Sequence, residues 1–123
     1  MLSPSFLLLY VDSPKASAAF YADLLGLQPV EQSPTFAMFA LPSGVMLGLW
    51  SKHTVEPAAA ASAGATELGF PVKDPANVDK TFADWGARGI RIAQAPVNLD
   101  FGRTFVGLDP DGHRLRVFAP ATA

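Results

Sequence analysis

The feature that most constrains this chain is that its 123 residues can be laid over themselves in two registers. With a shift of 61 positions Val11 falls on Val72, Pro14 on Pro75, Ala22 on Ala83 and Asp23 on Asp84. With a shift of 68, which absorbs loops of unequal length, Pro42 falls on Pro110, Gly44 on Gly112 and Leu47 on Leu115. These identities are few, but they fall at strand ends, in the helices and at hairpin turns, and a period of this kind means one supersecondary unit used twice. In the first copy "FLLLYV" (6–11) is a strand, Ser13-Pro14 supplies an N-cap and a proline at the first helical position, and Gly26 ends the helix. Ala16, Phe20 and Leu24 are expected to form its apolar face. In the second copy "ELGFPV" (67–72) is the strand, Asp74-Pro75 the helix start, Val78, Phe82 and Trp85 the apolar face and Gly89 the terminator. Further strands are predicted near 28–32, 35–40, 90–94 and 103–108, followed in each copy by a hairpin arm: "LPSGVMLGLW" in the first and "LDPDGHRLRVF" in the second.

The predicted class is therefore α+β: two tandem βαβββ modules whose curved mixed sheets enclose a cavity, because one four-stranded sheet with one helix cannot bury both its faces. The length fits one domain, residues 1–123, with module 1 at about 1–55, a linker at about 51–66 and module 2 at about 66–123. The linker "SKHTVEPAAAASAGAT" is rich in small residues, and its "AAAASA" could form a helical turn. A net charge of -2 offers no clustered cations to displace counterions from a polyanion, so nucleic acid is not an expected partner. There is no cysteine for a disulfide, a thiolate metal site or a nucleophile, and "FLLLYV" is too short to span a bilayer. A soluble cytoplasmic protein without a membrane role is expected.

The repeat, the helix "VDSPKASAAFYADLLGL" and the hairpin "GRTFVGLDPDGHRLRVF" resemble the vicinal oxygen chelate superfamily, which includes glyoxalases, extradiol dioxygenases, fosfomycin-resistance enzymes and bleomycin-resistance proteins. The resemblance spans essentially the whole chain. Within it, "LLLYVDSPKASAAFY", "LGLW" and "DFGRTF" with "DPDGHRLRV" are most similar to the phenazine antibiotic resistance type of drug-binding protein. Enzymes of the superfamily hold a divalent ion with His and Glu from the first and last strands of each module. By that pattern the four positions fall here on Phe6, Gly48, Glu67 and Arg116, and the internal repeat relates Phe6 to Glu67 and Gly48 to Arg116. A hydrophobe, a hydrogen, one carboxylate and a cation do not make a metal site, so neither metal nor another cofactor is expected.

What remains of the site is a binding surface. Alternation along "VMLGLW" puts Met46, Gly48 and Trp50 on one face, with glycine expected to leave an open floor beside an aromatic wall; Phe6, Leu8 and Tyr10 line the same face of the first strand. Trp50 is read either as a ligand platform or as interface packing. Phe118, the repeat partner of Trp50, is a second aromatic wall. Arg116 is read as an anion clamp for a ligand carboxylate, as an ion pair with Glu67, or as both. By the resemblance, Asp100, Phe101 and Arg103 belong to a loop near the cavity mouth. His53 and His113 are expected at the surface, and Asp109-Pro110-Asp111-Gly112 is read as turn chemistry rather than a catalytic carboxylate pair. No catalytic residue is assigned. The expected function is metal-independent binding and sequestration of a planar aromatic, anionic antibiotic or metabolite by a homodimer. The alternatives are a lyase or isomerase using Glu67 as general base, and a small protein with an inherited but unused cavity.

Overall fold

A four-stranded sheet with a single helix on one side is what each half of the chain builds. The structure, a computed structural model, describes residues 2–62 and 64–121. These divide into two compact units, residues 1–64 and 65–123. In the first, β1 (Phe6–Val11), α1 (Pro14–Leu25), β2 (Glu31–Gln32), β3 (Phe36–Ala40) and β4 (Met46–Ser51) follow in order. In the second, β5 (Glu67–Pro71), α2 (Pro75–Ala87), β6 (Ile92–Leu99), β7 (Gly102–Leu108) and β8 (Arg114–Pro120) repeat the pattern. The sheet orders are β1-β4-β3-β2 and β5-β8-β7-β6, each with one parallel pair at the β1/β4 or β5/β8 edge and antiparallel pairs elsewhere. The expected α+β class and tandem βαβββ order are both present.

The repeat extends to hydrogen bonding. Phe6 pairs with Met46 and Glu67 with Arg114, which are the same register under shifts of 61 and 68. Phe36 opposite Trp50 becomes Thr104 opposite Phe118. The hairpin turns match bond for bond: Gly44 N–H donates to Leu41 O and Leu41 N–H to Val45 O, while Gly112 N–H donates to Asp109 O and Asp109 N–H to His113 O. Gly44 (φ 93°) and Gly112 (φ 86°) both occupy the left-handed region, where a side chain would be strained.

Both helices start as their sequences dictate. The Ser13 hydroxyl accepts the Ala16 N–H at 3.1 Å and the Asp74 carboxylate accepts the Asn77 N–H at 2.9 Å, each with proline next in the chain. The face of α1 differs from expectation: Pro14, Ser17, Ala18 and Tyr21 are buried, while Ala16 is exposed and Phe20 and Leu24 are half-buried. The small Ser17 and Ala18 bring the helix close to β3 and β4, and Tyr21 fills the space beside them; size outweighs hydrophobicity there. In α2 the expected Val78 and Trp85 are buried and Phe82 is half-buried.

Beneath α1 lie Leu9, Val11, Ala37, Phe39, Leu47 and Leu49, and beneath α2 lie Phe105, Leu115, Val117 and Ala119. The two cores fill equivalent space differently. Phe39 on β3 corresponds to Gly107 on β7, and Leu24 on α1 to Trp85 on α2, so the large aromatic has moved from strand to helix. A Cβ on Gly107 would stand 2.9 Å from the Trp85 ring, and Trp85 meets Phe105 edge-on at 5.2 Å.

Two strands depart from the predicted ranges. β2 is only two residues long, and β6 runs to Leu99 through Pro96 with register irregularities after Ile92 and Gln94. As an edge strand β6 tolerates both the proline and the bulges. "AAAASA" forms no helical turn among the described residues, of which Ala63 is not one. His53 is exposed as expected, 2.7 Å from Asp12, and this contact holds the Asp12 carboxyl below its usual range. His113 corrects the expectation: it is buried, with Nδ1 2.8 Å from Asp109 Oδ2. Asp109 Oδ1 also accepts the N–H groups of Asp111 and His113. A carboxylate buried in a turn needs donors, and the imidazole joins the backbone in supplying them.

Gly107→Val is expected to destabilise the protein by about 1–3 kcal/mol by forcing Trp85 off β7. Denaturant unfolding checks this, and an unchanged midpoint would contradict the packing.

Candidate functional site

In each module the face of the sheet away from the helix carries most of the residues singled out in the sequence. On the first, strand register arranges them in rows. Phe6, Met46 and Ala40 form one row, Leu8, Gly48, Met38 and Glu31 the next, and Tyr10, Trp50 and Phe36 the third. The predicted members Phe6, Leu8, Tyr10, Met46, Gly48 and Trp50 therefore do share a face. Phe36, Met38 and Glu31 join them from β3 and β2, whose residues on this face are legible only once the pairing partner of β4 is known.

The open floor expected over Gly48 is not there. A Cβ at this position would collide with Leu8 Cδ2 and approach the Phe36 ring to 3.1 Å, and Gly48 is buried beneath these two side chains. Glycine is required here because its neighbours lean across it. The free space lies to one side, in a hollow of about 450 Å³ lined by Leu8, Glu31, Ser33, Thr35, Phe36 and Trp50. Phe36 and Trp50 meet edge-on with ring centroids 6.0 Å apart, and both are half-buried. Ser33, Thr35 and Glu31 supply a polar side to this hollow, and Leu8, Phe36 and Trp50 an apolar one, in a space of the size small ligands occupy.

On the second module's face, Arg116 and Glu67 form a two-point ion pair: Arg116 Nε donates to Glu67 Oε2 at 2.9 Å and Nη2 to Oε1 at 3.3 Å. Arg116 Nη1 donates to Thr104 Oγ1, whose hydroxyl in turn donates to Val117 O. The guanidinium carbon lies 5.8 Å from the centroid of Phe101, which itself meets Phe118 edge-on at 6.3 Å. Arg116, Glu67, Phe101 and Phe118 thus form one cluster, joined by Thr104, which sequence reasoning passed over. Water still reaches it, since the Glu67 side chain is 40% exposed and that of Arg116 18%.

Arg103 stands apart. It opposes Ala119 in the β7/β8 ladder, one residue out of phase with Thr104, and so projects from the helix side of the sheet. There its guanidinium contacts Asp79 of α2 at 2.9 Å and Asn98 of β6 at 3.1 Å. It lines a separate hollow of about 380 Å³ with Lys73, Asp74, Asn98 and Leu99.

This fold has counterparts. Residues 4–117 match the Glyoxalase/Bleomycin resistance protein/Dioxygenase superfamily. The chain belongs to that superfamily. EhpR, a phenazine antibiotic resistance protein of Enterobacter agglomerans, is 30% identical over 119 residues, 94% of this chain and 91% of EhpR. Among solved structures, protein ATC0852 from Agrobacterium tumefaciens is 54% identical with a TM-score of 0.90, covering 99% of this chain and 100% of that one. A glyoxalase/bleomycin resistance protein/dioxygenase from Nocardioides is 26% identical with a TM-score of 0.84, covering 100% of this chain and 86% of that one.

The superfamily's metal-dependent enzymes invite a test of the four positions that would supply ligands. In the first module Phe6 carries no donor atom and Gly48 no side chain. In the second, Arg116 is a cation, and both oxygens of Glu67 already accept from it. Among the described residues no three His, Asp or Glu side chains gather as a metal would require. The residues do not fit a divalent ion.

Because water reaches Glu67, Arg116→Met is expected to lower stability by only about 1 kcal/mol. Denaturant unfolding measures it, and a loss above about 3 kcal/mol would show that the pair behaves as a buried one.

Proposed function

We propose that this chain binds a planar aromatic small molecule on the open face of its first module and protects against it by sequestration, without a metal and without converting it. The observation that carries the reading is the hollow walled by Trp50 and Phe36, beside Gly48, which offers no donor atom at a position where the superfamily's metal-dependent enzymes place a ligand. An aromatic ring laid against the indole buries apolar area that water otherwise covers, and the edge-on Phe36 limits how it can tilt. The similarity to a protein named for phenazine antibiotic resistance supports a tricyclic aromatic of that kind as the first ligand to try.

The second module's face offers its own contact. Of the five N–H donors of Arg116, three are engaged by Glu67 and Thr104, and the rest remain for an acidic group beside Phe101 and Phe118. The alternative, a lyase or isomerase with Glu67 as general base, requires that carboxylate to abstract a proton while a guanidinium holds both its oxygens. Binding needs no such release. Phe6, Leu7, Leu8 and Tyr10 leave edge strand β1 exposed and apolar, which favours pairing with a second copy, and we infer a homodimer. No helix among the described residues is long and apolar enough to cross a membrane, which is compatible with the cytoplasmic setting we propose.

Titration with phenazine is expected to quench tryptophan fluorescence, and Trp50→Ala to weaken binding by about 1–3 kcal/mol, the scale of a lost stacking platform. Trp85→Phe should leave the quenching in place, since Trp85 is buried between α2 and β7. Chromatography should return the phenazine unchanged. Undiminished affinity in folded Trp50→Ala, or conversion of the ligand, would overturn the proposal.

A further inference from the structure

The charge nearest the aromatic wall is negative. Glu31 stands in the row Leu8–Gly48–Met38–Glu31, on the same face as Trp50 and Phe36, and lines the hollow with them. No Lys, Arg or His is among the lining residues, and the Glu31 side chain forms no ion pair with any described residue. Two strand spacings, about 10 Å, separate β2 from β4. That is comparable to the long axis of three fused rings, so a ligand stacked on Trp50 would bring its far edge to Glu31. The hydroxyl groups of Ser33 and Thr35, in the connection between β2 and β3, flank that end of the hollow.

We infer that the hollow selects planar aromatics that carry a cationic or N–H-donating substituent, with Glu31 as the specificity-determining residue. The inference rests on the reading that Trp50 is a ligand platform and goes beyond it by naming the charge of the ligand. It runs against the anionic ligand expected from Arg116, because that residue does not line this hollow and its guanidinium is held by Glu67. A carboxylate at the ring edge accepts a charge-assisted hydrogen bond from an aromatic amine and repels a carboxylate at the same position. Since Glu31 is exposed, the preference is a moderate one that salt weakens.

Three probes of similar shape separate the possibilities: proflavine, a cation at neutral pH, uncharged phenazine, and phenazine-1-carboxylate. The unaltered protein should bind proflavine most tightly and the carboxylate least. Glu31→Gln should weaken proflavine by about two- to fivefold and leave phenazine unchanged, and Glu31→Lys should reverse the order of the two charged probes. The proflavine preference should also shrink in high salt. If phenazine binds with quenching and neither Glu31 variant alters the order of the probes, the charge preference is overturned while aromatic binding stands. If none of the three quenches, aromatic binding itself fails and the inference with it.

Discussion

Everything about this chain depends on one packing limit: a four-stranded sheet served by a single helix buries one face only. α1 covers Leu9, Val11, Leu47 and Leu49, and α2 covers Leu115, Val117 and Ala119. The alternate residues of the same strands, Phe6, Leu8, Tyr10, Met46 and Trp50 in one module and Glu67, Arg116 and Phe118 in the other, are left for something else. Such a fold fixes a backbone and leaves open faces, whose side chains then decide whether they meet a metal, a ligand or another chain. Here the first face is aromatic and aliphatic with one carboxylate, and the second holds an ion pair between aromatic rings.

The two modules show how far identical hydrogen bonding can carry different chemistry. Leu41 and Val45 in one turn become Asp109 and His113 in the other, with the same backbone bonds and a buried polar pair in place of two apolar side chains. Phe39 becomes Gly107, and the lost volume returns as Trp85 from the helix. Gly48 becomes Arg116, which turns a crowded apolar patch into a charged one. In each case the strand register is kept and a partner on a neighbouring element changes to suit.

The sequence carried most of the fold because its landmarks were local: caps at Ser13 and Asp74, prolines at the next position and glycines with positive φ in the turns. Shifts of 61 and 68 even anticipated the ladder registers. It misled where packing overrules pattern. Ser17 and Ala18, not Phe20 and Leu24, seat α1, because close approach there requires small residues. His113 is adjacent to a polar turn yet buried, because Asp109 needs it. For the candidate site, alternation puts Trp50, Gly48 and Leu8 on one face, and the family resemblance, with which the repeat agrees, points to Arg116 and Glu67. It could not find Phe36 or Glu31, which reach the hollow through antiparallel pairing across β3 and a two-residue β2. Nor could it see that Leu8 leans over Gly48, or that Arg103 lies one residue out of phase with the face that Arg116 occupies.

Backbone amide chemical shifts, followed by NMR as phenazine is added to uniformly ¹⁵N-labelled protein, test the central claim most directly. If the open face of the first module is the binding site, the largest changes fall on residues 31–38 and 46–50, together with the indole N–H of Trp50, and the amides of α2 scarcely move. Changes concentrated instead around Lys73, Asn98 and Arg103, at the hollow on the helix side of the second sheet, would contradict the account.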